Sequence, residues 1–329
     1  CDHRGYPKEL TAEVWRQIES FAGYSFSKAH SASYAVESFQ SLYLKAHYPL
    51  EFMVAVMNNF GGFYQTWVYI NEARRCGAQI ELPCVNHSEI LSSIEGKTIY
   101  LGMALLTGIE EKTGQAIVEE RHRFGAFRSL DDFISRVPVH KEQIILLIRI
   151  GALRFTGKSK AKLLWEVHML LNQKRTLHIQ SQLFSPQRRP FTLPPFEEKP
   201  LEAVYDELEL LGFPVTLSFF QMMQTVWRGG VNAGNLKEHE GEIVKLLGLL
   251  VTIKYVRTSK AEVMHFGCFL DESGEFFDTV HFPDSLRDYP FKGRGVYLLL
   301  GKVICEFGHP SIEIRKMAKM PLQGDPREK

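Results

Sequence analysis

The N-terminal stretch repeats apolar residues at helical spacing. Val14, Ile18 and Phe21 stand at i, i+4 and i+7 and make one apolar face. A longer helix is predicted from about Ala29 to Ala46, with Tyr34, Ala35, Val36, Phe39, Leu42 and Tyr43 on a broad apolar stripe. Pro49 opens the next helix, where its missing N–H costs nothing, and Gly61-Gly62 breaks it. A further helix through FYQTWVYINEARRCG stops at Gly77, a natural C′ residue. Between Ala78 and Leu106 the texture changes. QIELPCVN and KTIYLGMAL are short, with Pro and Gly nearby, and predict small strands. Helices return in TGIEEKTGQAIVEERHRFG, SLDDFISRV, HKEQIILLIRIGAL and SKAKLLWEVHMLLNQ. Ser129 with Asp132 three residues on is a capping-box-like start, and Gly151 closes the HKEQIILLIRIGAL helix.

Residues 173–200 read as a Pro-rich linker. LEAVYDELELLGFPV then restores a helix, stopped at Pro214. After about Gly241 the period switches to two. EIVKLLGLLVTIKYVRT, AEVMHFGCFL, EFFDTVHFP, RGVYLLLGKVICEFG and SIEIRKMAKM are five strand-like runs. Asp271-Glu272-Ser273-Gly274 forms a hairpin turn between two of them, and PDSLRDYPF is a short helical insert before the fourth. Five strands with such an insert suit a small closed Greek-key barrel of the oligonucleotide-binding (OB) type.

Net charge narrows the picture little. At +1 with a pI near 7.8, the chain has no global field that announces nucleic acid, so basic patches must be found locally. The five cysteines (Cys1, Cys76, Cys84, Cys268, Cys305) form no C-x2-C or C-x4-C pair, which gives zinc little support and argues against a disulfide framework. A reducing, cytoplasmic compartment fits best. No apolar run approaches the roughly 20 residues of a membrane helix. The chain begins CDHRGYPKEL, without methionine or signal-peptide pattern, and is expected to be a piece of a longer protein.

Four stretches carry candidate chemistry. In FAGYSFSKAHSASY, Lys28 and His30 sit beside Ser27, Ser31 and Ser33 at a predicted helix start, where free amides and the helix dipole favour an anion such as a triphosphate. The alternative is that the serines only cap the helix and Lys28 is solvated. In LTGIEEKTGQAIVEER, Gly108 and Gly114 let the backbone turn, so amides near Lys112, Thr113 and Gly114 would face a phosphate. A second helix pair ends in RIGALRFTGKSK, with Lys158 and Lys160, and two such units in tandem grip a DNA backbone without reading sequence. Glycine turns of this kind are also common structural joints. Around the first barrel hairpin stand Lys254, Arg257 and Lys260, followed by Phe266, Phe269, Phe276 and Phe277. Cations beside exposed rings suit single-stranded nucleic acid, although alternation should leave at most one or two of those rings outside. Finally, Gln180-Ser-Gln-Leu-Phe184 places an apolar pair in an otherwise polar linker, as an anchor for a partner's pocket would. No catalytic or metal-ligating constellation is present. There is no G-x-S-x-G, P-loop, H-E-x-x-H or Asp-x-Asp, and His47 and His87 have no ligand-like companions.

Taken together, these stretches resemble the bacterial DNA polymerase III alpha subunit, a C-family polymerase, from its fingers region onward. FAGYSFSKAHSASYAVESFQSLYLKAHYPLEFMVAVMNN carries the resemblance through its F-x-K-x-H-S core and YLKAHYP-EFM tail. Tandem helix-hairpin-helix, clamp-binding pentapeptide and OB barrel follow in the family's order. The resemblance implies an α+β multidomain fold. Residues 1–97 would be the C-terminal part of the fingers, 98–172 a tandem helix-hairpin-helix domain and 173–200 a linker with the clamp motif. Residues 201–240 would be a helical connector, 241–322 the OB domain and 323–329 a tail. It also implies roles. Lys28, His30 and Ser31 would meet the phosphates of an incoming deoxynucleoside triphosphate. The hairpins, through Gly108, Lys112, Thr113, Gly114, Lys158 and Lys160, would track primer–template DNA. Gln180, Leu183 and Phe184 match the Q-x-x-L-F motif for the sliding clamp, and the barrel would sit near single-stranded template. Departures are visible. The metal-binding palm and its Mg2+ would lie upstream, so this stretch should not polymerise alone. Glu110 replaces the usual second glycine of the first hairpin, and LLGFPVTLSFF lacks the Gly-His-Pro of many relatives. A tau-binding domain looks absent. A lesion-bypass paralogue, or a non-enzymatic DNA-binding adaptor built from the same modules, remains open at this point.

Overall fold

The computed structural model describes residues 7–22, 28–176, 199–258 and 261–328, with backbone alone at 20–22, 28 and 171–176. Two compact units emerge, residues 1–52 and 53–329. Residues 53–97, assigned to the fingers from sequence, therefore belong with the unit that holds the hairpins and the barrel. The reason is their small sheet and their buried side chains, from Met53 to Val85.

The first unit contains helices α1 (Lys8–Ala22) and α2 (Lys28–His47) and the start of α3 (Pro49–Asn58). The spacing correctly forms these helices but does not bury their apolar faces. Val14, Ile18, Tyr34, Val36, Phe39, Leu42 and Tyr43 are all exposed.

The second unit continues with α4 (Thr66–Arg75), which ends at Gly77 with φ +91°. A three-stranded sheet follows, with β1 (Gln79–Glu81), β2 (Ser93–Glu95) and β3 (Thr98–Tyr100) in the order β1-β3-β2. The sequence reading missed β2. Helices α5 (Glu111–Phe124), α6 (Leu130–Arg136), α7 (Lys141–Arg149) and α8 (Lys160–Thr176) come next. Ser129 caps α6 as expected, its Oγ accepting from Asp132 N–H at 3.1 Å. Buried Phe127, Phe133, Ile144, Leu147 and Leu163 form the core of this layer. Helix α9 (Pro200–Leu210) ends at Gly212, φ +84°, two residues before the proline expected to stop it.

Two buried carboxylates on α9 tie this unit together. Glu207, 1% exposed, accepts from the N–H groups of Val215 (2.6 Å) and Thr216 (2.9 Å) and from the Thr216 hydroxyl. Asp206 pairs with Arg149 of α7 (2.8 Å), Lys160 of α8 (3.2 Å) and Arg327 near the C-terminus (2.8 Å). Three cations around one carboxylate offset its desolvation, which a lone partner would do poorly.

The five strand-like runs form a closed barrel. Strands β4 (Ile243–Arg257), β5 (Val263–Leu270), β6 (Phe276–His281), β7 (Val296–Glu306) and β8 (His309–Lys319) pair in the order β4-β5-β6-β8-β7. The parallel β6–β8 pair, Asp278 opposite Ser311, closes the ring, and α10 (Pro283–Asp288) fills the insert between β6 and β7. This strand order with one helical insert is the OB topology. Alternation puts Phe269 and Phe277 in the core with Leu246, Tyr297, Leu299 and Ile312. Phe266 and Phe276 stay outside, 40% and 38% exposed, which matches the expectation of at most two.

Candidate nucleic-acid interface

Three stretches of the polypeptide present candidate surfaces. At the start of α2, Lys28 is the first helical residue, and His30 and Ser31 are exposed in the first turn. The His30 ring stands edge-on to Tyr34, centroids 4.5 Å apart. A helix start with histidine and serine in reach of solvent suits an anion.

The first hairpin precedes α5. Gly108 takes φ +85°, a conformation that glycine reaches without strain. Gln143, buried on α7, spans the turn: its Nε2 donates to Gly108 O (2.9 Å) and its Oε1 accepts from Glu110 N–H (2.8 Å). The amide that would face a phosphate at position 110 is therefore already bonded. Lys112 is exposed, but Thr113 and Gly114 turn inward, and Gly114 N–H bonds Glu110 O inside the helix. A Cβ on Gly114 would come 3.4 Å from Ile90 and 3.7 Å from Met103, so this position faces the packed side of the helix and not a phosphate. Thus Lys112 alone of that trio reaches solvent with a side chain. The second hairpin, between α7 and α8, turns at Gly151 (φ +78°) and Gly157 (φ +66°). Lys158 pairs with Glu166 at 2.8 Å and Lys160 with Asp206, so neither cation is free for a phosphate at no cost.

The third surface is a cleft of about 930 Å³ across the barrel wall. Lys254 of β4 lies opposite Phe266 of β5, and both line it. Because paired residues project to one face of a sheet, a cation and a ring sit side by side. Arg257 is exposed further along β4. Neither Lys254 nor Arg257 forms an ion pair among the described residues. The floor includes Cys268, whose thiol is pushed up to about 12 by burial and by the Asp278 carboxylate beside it, so it stays neutral. Asp278 also faces His309, 3.3 Å away. The cleft is thus aromatic with mixed charge, a surface on which rings stack and phosphates stay at the rim. Sequence reading named Lys254, Arg257 and Phe266 but missed Phe63, Phe282, Phe307 and His309. Only the dipeptide Phe307-Gly308 between two strand-like runs could have signalled a turn there. Lys260, Gln180, Leu183 and Phe184 lie outside the described residues.

Comparison with known proteins agrees with this anatomy. The helix-hairpin-helix motif family matches residues 77–163. The DNA polymerase III subunit alpha of Aquifex aeolicus is 30% identical over 286 residues, covering 85% of this chain and 24% of that protein. Its counterpart from Thermus aquaticus is 37% identical over 172 residues, 51% of this chain and 14% of that protein. This chain thus spans about a quarter of the length of the Aquifex relative. Among solved structures, the second OB-fold domain of replication protein A from Methanococcus maripaludis is 10% identical. It covers 26% of this chain and 90% of that one at a TM-score of 0.20, so strand order carries the fold instead. By its match along most of its length, the chain belongs to the DNA polymerase III alpha subunit family.

Proposed function

We propose that this chain is the duplex-gripping, single-strand-binding and clamp-tethering part of a replicative DNA polymerase acting in the cytoplasm. The observation that carries the reading is the combination, in one polymerase-family chain, of a helix-hairpin-helix layer with an OB barrel whose outer wall pairs Lys254 with Phe266. The parent enzyme would add deoxynucleotides to a primer. Lys28, His30 and Ser31 at the start of α2 would meet the incoming triphosphate. The hairpins would hold duplex through its backbone, with Lys112 as a direct contact. Lys254, Arg257 and Lys260 would follow a template strand along the barrel. Gln180, Leu183 and Phe184 would seat in a sliding clamp.

Mg2+ would supply charge neutralisation for phosphoryl transfer. No group of three or more His, Cys, Asp and Glu side chains among the described residues could hold a metal ion. The residues here do not fit that role, and no step through a metal is assigned to them.

The test uses the chain itself with fluorescent DNA. A primed template with a single-stranded overhang should bind more tightly than blunt duplex of equal length. Equal affinity for the two would remove the barrel from the reading, and no binding to either would overturn it. In the full-length polymerase, Lys28→Ala should raise the apparent nucleotide KM or lower kcat. An unchanged steady-state profile would take Lys28 out of the site.

A further inference from the structure

The barrel cleft has a wall that does not come from the barrel. Phe63, from the loop between α3 and α4, lines it together with Phe266, Phe282 and Phe307. Phe63 is 82% exposed, so it covers no core of its own. Yet its backbone is fixed. Tyr69 Oη accepts from the N–H groups on either side of it, Gly62 at 3.1 Å and Tyr64 at 3.3 Å. The next ring, Tyr64, lies 6.3 Å from Phe276 of β6. Helix α4 is fastened to the barrel by Asn71, which donates to Gly274 O at 3.0 Å, and by the Arg75–Glu275 pair at 3.4 Å. An exposed ring is thus carried to the cleft on a braced loop.

The same cleft is lined by a second unusual ring, Phe307. Glu306 and His309 are register partners, so Phe307-Gly308 is a two-residue turn joining β7 to β8. Both residues have positive φ, +51° and +81°. Such turns favour Asn-Gly, because a bulky residue is strained in the left-handed region. Phe307 is also fully exposed. A strained position occupied by a large solvent-facing ring gains nothing for the fold, and such sites gather where ligands bind.

We infer that Phe63 and Phe307 are stacking residues for the bases of single-stranded DNA, so that the single-strand site is composite, built by the barrel and the α3–α4 loop together. This rests on the reading above that the barrel holds single strands. Rings from the barrel and from the α3–α4 loop line one cleft with Lys254, and this fits flat bases and an outer phosphate chain better than an apolar peptide, which would leave Lys254, Asp278 and His309 facing hydrocarbon.

The test measures binding of the full chain to fluorescent oligo-dT and to an abasic oligonucleotide of equal length. Phe63→Ala and Phe307→Asn should each weaken dT binding about tenfold or more while changing abasic binding little. Phe307→Asn should also raise the thermal unfolding midpoint, since Asn-Gly suits the turn. Phe266→Ala serves as the control on the barrel. If it weakens dT binding and Phe63→Ala does not, the composite site is wrong and the barrel reading survives. If none of the three weakens binding, the barrel reading fails as well. Equal losses on dT and abasic DNA would show that the rings do not read bases and would overturn the inference.

Discussion

His281 sits in the barrel wall, 1% exposed, and its Nε2 lies 2.8 Å from Thr279 Oγ. That hydroxyl donates its one proton to Gly267 O, so it accepts from His281. The Phe291 ring, 4.7 Å away, and His265, opposite it on β5, complete the surroundings. Burial, with a smaller push from His265, lowers the His281 pKa to about 3. The unfolded chain would titrate near 6.5. With the folded value depressed, this histidine leaves stability untouched above pH 6.5 and erodes it as pH falls toward 3, by about 1.4 kcal/mol per unit. Unfolding free energies at pH 7, 5.5 and 4.5 should show that loss, and His281→Gln should show a shallower one. Parallel slopes in the two proteins would disprove the assignment. Glu207 makes a second comparison, read at a single pH. Replacing it with Ala leaves two backbone donors near Val215 and Thr216 without partners and should cost about 3 kcal/mol in denaturant unfolding. Neither residue was legible in the sequence, since nothing in VHF or YDELEL says that a polar group will be buried.

Elements were legible wherever a period repeats. The barrel strands follow from alternation, because two rings in and two rings out is what a one-sided core demands. The hairpins follow from Gly108 and Gly151 at helix starts and stops. What a period cannot show is a contact between elements. Gln143 reads as one more polar residue in a helical run, yet it occupies the Glu110 amide from 33 residues away in sequence. Lone aromatics such as Phe63, in a loop beside two glycines, carry no period either. The hairpin contact has a measurable consequence. Glu110 and Glu111 place two negative charges at the tip, and the amide beneath is taken. Glu110→Lys should raise duplex affinity severalfold at low salt and steepen the salt dependence by about one phosphate equivalent. Glu110→Gly should gain less, because its N–H remains bonded to Gln143. Anisotropy with a blunt duplex at two salt concentrations separates them, and a glycine variant that matched or beat the lysine variant would refute the argument.

At the scale of the whole molecule, positive charge is nearly balanced, and several cations among the described residues are spent internally. Net charge is +1, Lys158 and Lys160 serve ion pairs, and the barrel cleft mixes Lys254 and His309 with Asp278 and Glu306. So small a surplus neutralises few phosphates, and DNA binding by the chain alone should be weak and salt-sensitive. Such a chain gains most from a second attachment. A tether that holds it to a ring around the DNA turns rebinding into an intramolecular event, with gains on the order of 10²–10⁴ and no new DNA contact. The order of segments supports that arrangement, because Gln180-Ser-Gln-Leu-Phe184 stands between the hairpin layer and the barrel. A polar chain bearing two adjacent apolar residues suits a pocket better than a flat face, since two side chains can desolvate without ordering a whole element. Leu183→Ala with Phe184→Ala should therefore abolish binding of the chain to a purified clamp. Its circular dichroism and its affinity for free oligonucleotide should stay unchanged, since the pair belongs to no periodic apolar run of the sequence. In the full-length enzyme the same change should shorten each extension event on a clamp-loaded template while leaving single-nucleotide addition intact. Undiminished clamp affinity in the titration would mean that the tether lies elsewhere. Equal losses in clamp binding and oligonucleotide binding would mean that the pair supports the fold instead.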